Sequence, residues 1–251
     1  MRKTLSVAII TRNEEANLAR TLGSVAWADE MVVVDCGSQD RTEEIARSFR
    51  ARFFLEEWKG FAAQKNSALE KCSGDWILSL DADESLSDEL AKEIWELLEN
   101  DPPFDGYALA RRNLFLGRWI RYGGFYPDPK LRLFRRGAAE FEARPVHETL
   151  HFVGKAGRLK GDMVHDAYPS LEAYIAHMDR YSTLGAEQEA REGKRRVFAV
   201  DVVLNPIATF VYNYFFRLGF LDGREGLLLH LYHSVYVSWK YAKAWEQSRG
   251  Q

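Results

Sequence analysis

Cysteine is nearly absent. Two residues, Cys36 and Cys72, occur in 251, too few for a disulfide framework or a cysteine zinc site, and their scarcity fits a reducing, cytoplasmic setting. A net charge of -3 with 28% charged residues leaves no global basic field for nucleic acid. A signal-peptide core is missing too: behind Arg2 and Lys3 the apolar run is only Val7-Ala8-Ile9-Ile10 before Thr11, Arg12 and Asn13, which reads as a strand. The most apolar stretch, residues 198–221, is interrupted by Asp201, Asn205 and Arg217. It is therefore not expected to give the spanning helix of about 20 unbroken apolar residues. No G-x-G-x-x-G follows the first strand, which disfavours nicotinamide chemistry, and no G-x-x-x-x-G-K-[ST] occurs, which removes the P-loop enzymes.

What is present is a core-forming composition, 46% hydrophobic and 13% aromatic, ordered as an alternation. Apolar, β-branched or aromatic runs at 5–10, 31–35, 52–55 and 76–81 alternate with helical patterns at 14–25, 42–49 and 61–72. That βαβαβαβ order predicts an α/β fold with a parallel sheet, helices on both faces, and ligands beyond the carboxyl ends of the strands. A helix over 87–100 should follow, with Ser87 as N-cap and Pro102-Pro103 as its stop. Residues 1–105 are expected to form the alternating half, 106–168 a half of short strands that should carry the acceptor side, and 169–251 a helical extension. In that extension Ile207, Phe210, Val211, Tyr214, Phe215, Leu218 and Leu221 repeat at helical spacing. A second aromatic helix spans 225–245. The stripe is expected to pack as core, to join an oligomer contact, or to lie on a membrane surface.

The residues just after each strand carry the chemistry. Asp81-Ala82-Asp83 leaves the apolar strand Trp76-Ile77-Leu78-Ser79-Leu80. Two carboxylates there suit a hard divalent cation, Mg²⁺ or Mn²⁺, that takes its remaining ligands from phosphate and water. The plainer reading gives Asp81 to the strand end and Asp83 to the next helix. Asp35, before Gly37-Ser38-Gln39-Asp40, can accept from a base or ribose. His165 is a metal-ligand or diphosphate-contact candidate against a structural histidine, Asp162 lies near it in sequence, and Arg132 is a phosphate clamp or a solvated charge.

Four motifs in order resemble the inverting glycosyltransferases of family 2: Ser6-Val7-Ala8-Ile9-Ile10-Thr11-Arg12-Asn13-Glu14-Glu15, the run Val32-Val33-Val34-Asp35-Cys36-Gly37-Ser38-Gln39-Asp40-Arg41-Thr42, Gln64-Lys65-Asn66, and Leu80-Asp81-Ala82-Asp83-Glu84. The resemblance implies a GT-A fold and a UDP-sugar donor. It places Thr11, Asn13, Glu14 and Asp35 around uracil and ribose, Lys65 or Asn66 near the nucleotide, Asp81 by the ribose or sugar, and Asp83 on the metal. Cys36 stands where many members have a second aspartate. The chain is further similar to the lipopolysaccharide inner-core glucosyltransferase subgroup through His147-Glu148 and Gly219-Phe220-Leu221-Asp222-Gly223. That implies a saccharide or glycolipid acceptor, glucose as the sugar, and peripheral attachment to the cytoplasmic face of the inner membrane. Inversion needs one base, and Glu148 is the candidate. Two rivals stand beside this reading: a non-catalytic nucleotide-sugar-binding homologue, and a zinc protease built on His147-Glu148-Thr149-Leu150-His151. The protease motif needs a helix, whereas the period-2 alternation over residues 146–153, behind Pro145, predicts a strand, on which the two imidazoles would stand about 13 Å apart at ~3.3 Å per residue.

Overall fold

A computed structural model describes residues 2–142, 149–191 and 198–249. The chain divides into two compact units, residues 1–111 with 129–165 and residues 112–128 with 166–251. This division differs from one at 105 and 168: segment 112–128 belongs with the C-terminal helices, and most of 106–168 belongs with the N-terminal half.

In the first unit the predicted alternation is present as β1 (Leu5–Thr11), α1 (Leu18–Ser24), β2 (Glu30–Asp35), α2 (Thr42–Ser48), β3 (Arg52–Leu55), α3 (Phe61–Glu70), β4 (Trp76–Asp81), β5 (Glu84–Leu86) and α4 (Asp88–Glu99). Then come β6 (Gly106–Phe115), β7 (Arg118–Trp119), β8 (Lys130–Arg135), β9 (Ala139–Glu142), β10 (Thr149–Phe152) and β11 (Ala156–Tyr168); β7 lies in the second unit, and β6 and β11 contribute residues to both. The sheet order is β3-β2-β1-β4-β8-β6-β11-β5. β1 is flanked in parallel by β2 and β4, so all three are buried on both faces and read as unbroken apolar runs. Leu5, Val7, Ile9, Val33, Trp76, Leu78 and Leu80 are buried in one continuous core with Leu18, Leu22 and Ile94. Ser87 caps α4 as predicted, its hydroxyl accepting from Leu90 N–H at 3.2 Å.

α1 is shorter than the periodicity of 14–25 suggests. Asn13 takes a left-handed φ of 56°, and residues 12–17 instead form a loop stitched to the one after β2. Asn13 N–H donates to Ser38 Oγ, Gln39 N–H to Asn13 Oδ1, and Glu14 N–H to the Thr42 hydroxyl. Thr149–Phe152 is a strand paired antiparallel with β9. The described half of the His-Glu-Thr-Leu-His run is thus not the helix a zinc pair requires.

The second unit is built on α5 (Leu171–Arg191) and α7 (Gly223–Arg249), with α6 (Asn205–Val211) between π-helical turns at Ala199–Leu204 and Tyr212–Phe216. Its core joins Phe115, Ile120, Tyr174, Met178 and Leu229. The Gly219-Phe220-Leu221-Asp222-Gly223 run is a structural joint. Asp222 is buried and accepts the backbone N–H groups of Arg121 and Tyr122. A Cβ at Gly219 or Gly123 would come within 2.3 Å of the His230 ring, so both positions require glycine. His230 is buried, and neither ring nitrogen has a partner among the described residues. Burial first, and neighbouring His233 second, pull its pKa from 6.5 down to about 4, against a small opposing effect of Asp222.

A histidine neutral when folded binds its proton only after unfolding between those two pH values. Stability is therefore full above about 6.5 and falls as pH drops towards about 4. About 2 kcal/mol should be lost by pH 5 from this residue. Urea midpoints at pH 7 and pH 5 test this: His230→Leu should shrink the difference, and an unchanged difference would remove His230 as its source.

Candidate functional site

The site gathers at the carboxyl ends of β1, β2 and β4. Thr11 is in register with Asp35 of β2, and Ile10 with Asp81 of β4. Asp35 and Asp81 therefore flank one strand and lie about 10 Å apart, two strand spacings. Both acids thus stand at strand ends within one compact unit.

Asp35 is buried. Its carboxylate accepts from Thr11 Oγ1 at 2.9 Å, from Gly37 N–H at 2.9 Å, and from the backbone and hydroxyl of Ser38. Four donors reach its two carboxylate oxygens, so the acid holds the loop after β2 in shape. Gly37, at φ 90°, permits the turn. Asn66 is likewise spent on structure: its amide donates to Phe141 O and accepts from Phe141 N–H, both at 2.8 Å, which pins β9 to α3.

Asp81 sits in a charge network. Its two oxygens meet Lys65 Nζ at 2.8 Å and Arg132 Nη2 at 2.6 Å, and Arg132 also reaches buried Glu84 at 2.8 Å. Arg111 approaches Glu84 at 3.4 Å. Burial alone would raise the Asp81 pKa, but Arg132 and then Lys65 outweigh it and hold the carboxyl far below the usual range. The same acids push Arg132 up against its own burial. Arg132 is 7% exposed, so the solvated-charge reading is overturned. Sequence reasoning missed Glu84, whose carboxylate also accepts Asp81 N–H at 3.0 Å. Its adjacency to the paired aspartates was the one available signal.

Asp83 projects beyond this network. Thr21 on α1 holds the turn by donating to Ala82 O at 2.7 Å. β11 pairs antiparallel with β5 and sets His165 opposite Glu84, which brings His165 Nε2 to 3.2 Å from Asp83 Oδ2, with side chains 16% and 30% exposed. Asp162, the looser partner, instead gives its backbone carbonyl to Ser87 N–H at the start of α4. Glu14 lies within electrostatic reach: its pKa is raised by burial first and then by Asp83, Asp40 and Asp81. A cation placed among these acids would relieve that repulsion.

The carboxylate and imidazole form a donor set that Mn²⁺ accepts, and Mg²⁺ with more reliance on oxygen. Among the described residues no group of three or more His, Cys, Asp or Glu could enclose an ion. The protein side therefore fits a metal whose other positions belong to phosphate and water. Glu148 and His147 lie outside the described residues.

The sequence pattern described as "Glycosyl transferase family 2" matches residues 6–149. The lipopolysaccharide core biosynthesis glycosyltransferase LpsC of Rhizobium meliloti (strain 1021) is 35% identical over 226 residues, which covers 87% of this chain and 82% of LpsC. Among solved structures, the mannosyltransferase PcManGT of Pyrobaculum calidifontis, in complex with GDP-Man and Mn²⁺, aligns over 97% of this chain and 87% of its own at a TM-score of 0.55 and 18% identity. S. aureus TarS 1–349 in complex with UDP aligns over 99% and 92% at a TM-score of 0.50 and 17% identity. The fold is the GT-A fold.

Proposed function

Since the chain belongs to glycosyl transferase family 2, we propose that this glycosyltransferase moves a hexose, glucose from UDP-glucose, onto a hydroxyl of a lipopolysaccharide inner-core sugar with inversion. The observation that carries the reading is the juxtaposition of Asp83 and His165 at 3.2 Å, beside an Asp81 already neutralised by Lys65 and Arg132. The two acids are equally half-exposed, but Asp81 is held by two cations whereas Asp83 meets an imidazole. Similarity to LpsC supports the acceptor class. Such an acceptor is a glycolipid, and the enzyme would meet it as a peripheral protein on the cytoplasmic face of the inner membrane.

Asp83 and His165 would hold Mn²⁺ or Mg²⁺, and the bound ion supplies charge neutralisation to a departing diphosphate. The chain's own residues do the rest. Asp35, Thr11 and Asn13 fix the two stitched loops as a rigid rim, so that backbone groups and Glu14 meet the base and ribose while Asp35 stays internal. Lys65 and Arg132 keep Asp81 ionised and oriented towards the ribose or sugar; Asn66 secures the β9 edge below. Glu148 would take the proton from the acceptor hydroxyl as that oxygen attacks the anomeric carbon opposite the leaving group, a single displacement that requires no covalent nucleophile.

A panel of UDP-, GDP- and dTDP-sugars, with and without Mn²⁺ and read as nucleotide release, tests the donor. UDP-glucose with metal should give the largest signal, and a flat panel would favour a non-catalytic homologue. Glu148→Gln should keep donor binding and lower transfer by roughly 10²–10⁴-fold. Transfer near the original rate would remove it as the base.

A further inference from the structure

The helical stretch before α7 is turned inside out. Val203, Leu204, Ile207, Val211, Phe215 and Phe216 recur at three- to five-residue spacing along a helix whose two ends are π-helical, and all six are exposed. Leu204 and Ile207 are 56% exposed and Phe216 75%. The polar residues lie on the less exposed side, where Asn205 donates to Asp201, Thr209 donates to Asn205 O, and Pro206 is buried. Of the stripe read from sequence, Ile207, Val211, Phe215, Leu218 and Leu221 are exposed and do not pack as core, whereas Phe210 and Tyr214 are half-buried. By length and composition Ala199–Phe216 would also pass for a spanning helix, contrary to the expectation drawn from Asp201 and Arg217. No charged residue falls between those two.

Its packing argues against a span. The stretch lies antiparallel along α7: Ser238 Oγ donates to Val202 O at 2.8 Å, Phe198 meets Trp245 at 4.9 Å, and Tyr214 meets His230 at 6.2 Å. α7 in turn is tied to α5 by Lys240–Glu189 and Lys243–Asp179. A helix bound along its length to such a charged, water-compatible pair can enter lipid only edgewise.

Charge selects the occupant. Arg217 and Arg224, both exposed, border the stripe at its end, and in sequence Lys194-Arg195-Arg196 stands just before it. A second copy, paired parallel or antiparallel, would bring basic ends together, whereas a phosphate-bearing surface neutralises both. A soluble monomer rarely leaves so continuous an apolar face in water.

We infer that the outward face of residues 198–221 inserts in the plane of one leaflet of an anionic bilayer. This deepens the peripheral attachment proposed above, but it rests on the surface alone and its test requires neither donor nor acceptor. Full-length protein is floated on density gradients with phosphatidylethanolamine–phosphatidylglycerol vesicles or with phosphatidylcholine vesicles, alongside size-exclusion chromatography. The wild type should float with the anionic vesicles, more than with the neutral ones. Leu204→Glu/Ile207→Glu and Phe215→Glu/Phe216→Glu should each lower binding roughly tenfold or more, since each buried CH₂ contributes ~0.8 kcal/mol, with melting temperatures unchanged. Should the glutamate pairs fail to fold, Phe215→Ser/Phe216→Ser serves the same comparison. Wild-type protein left at the bottom of both gradients, or folded variants that float equally well, would overturn the inference. So would a wild-type dimer that the variants dissociate without any flotation, which would assign the face to a second copy.

Discussion

Asp83→Ala is expected to lower metal-supported turnover by roughly 10³-fold while leaving the melting temperature within about 2 °C, because an interaction made chiefly as charge develops is where electrostatic contributions concentrate. The structural basis for the separation of activity from stability is local. Asp83 meets His165, whereas Asp81 and the buried Glu84 are bound into the network of Lys65 and Arg132. Removing the Asp83 carboxylate leaves the pairs of Lys65, Arg132 and Glu84 as they were. His165→Asn should fall between wild type and Asp83→Ala, with a higher Mn²⁺ concentration needed for half-maximal nucleotide release, since one of two protein ligands remains. Titrating Mn²⁺ against release for the three proteins checks both statements. Turnover of Asp83→Ala within threefold of wild type would take the metal role away from this acid.

Much of this site was legible because its strands are. β1, β2 and β4 are buried on both faces and announce themselves as apolar runs, and a residue that follows such a run must stand at a strand end. Asp35, Asp81 and Asp83 could be placed that way. His165 was nominated by its chemistry, but its distance to Asp83 depends on the β5–β11 register, which local patterning does not encode. The backbone partners of Asp35 and Asn66 were hidden for a similar reason. Whether an acid or amide is spent on backbone groups depends on which N–H lies opposite, and Phe141 is 75 positions from Asn66. The helix at 199–216 shows a different limit. Periodicity reports which residues share a face, and it says nothing about what that face meets.

Arg132 is the residue whose importance the chain hides best, since its partners lie 51 and 48 positions away, and its loss should have the largest effect on stability. Arg132→Met retains an apolar stem but leaves fully buried Glu84 with the longer Arg111 contact and Asp81 with Lys65 alone. Breaking a buried pair by removing one partner costs about 3–5 kcal/mol, against a total stability of about 5–15 kcal/mol. The denaturant midpoint should fall accordingly. Arg132→Lys restores charge but not the planar fork that touches two acids at once, so it should recover only part of the loss. Arg132→Met/Glu84→Gln should recover part as well, because the stranded charge is removed with its partner. The acid limb adds a second readout. A carboxyl held below its unfolded pKa stabilises the fold above about pH 4 and loses that contribution as pH falls further. Asp81 is such a group through Arg132 and Lys65, so Arg132→Met should flatten the decline in stability below pH 4. Equal midpoints for wild type and Arg132→Met, with parallel acid limbs, would mean that Lys65 alone holds Asp81 and that Glu84 finds its partner in Arg111.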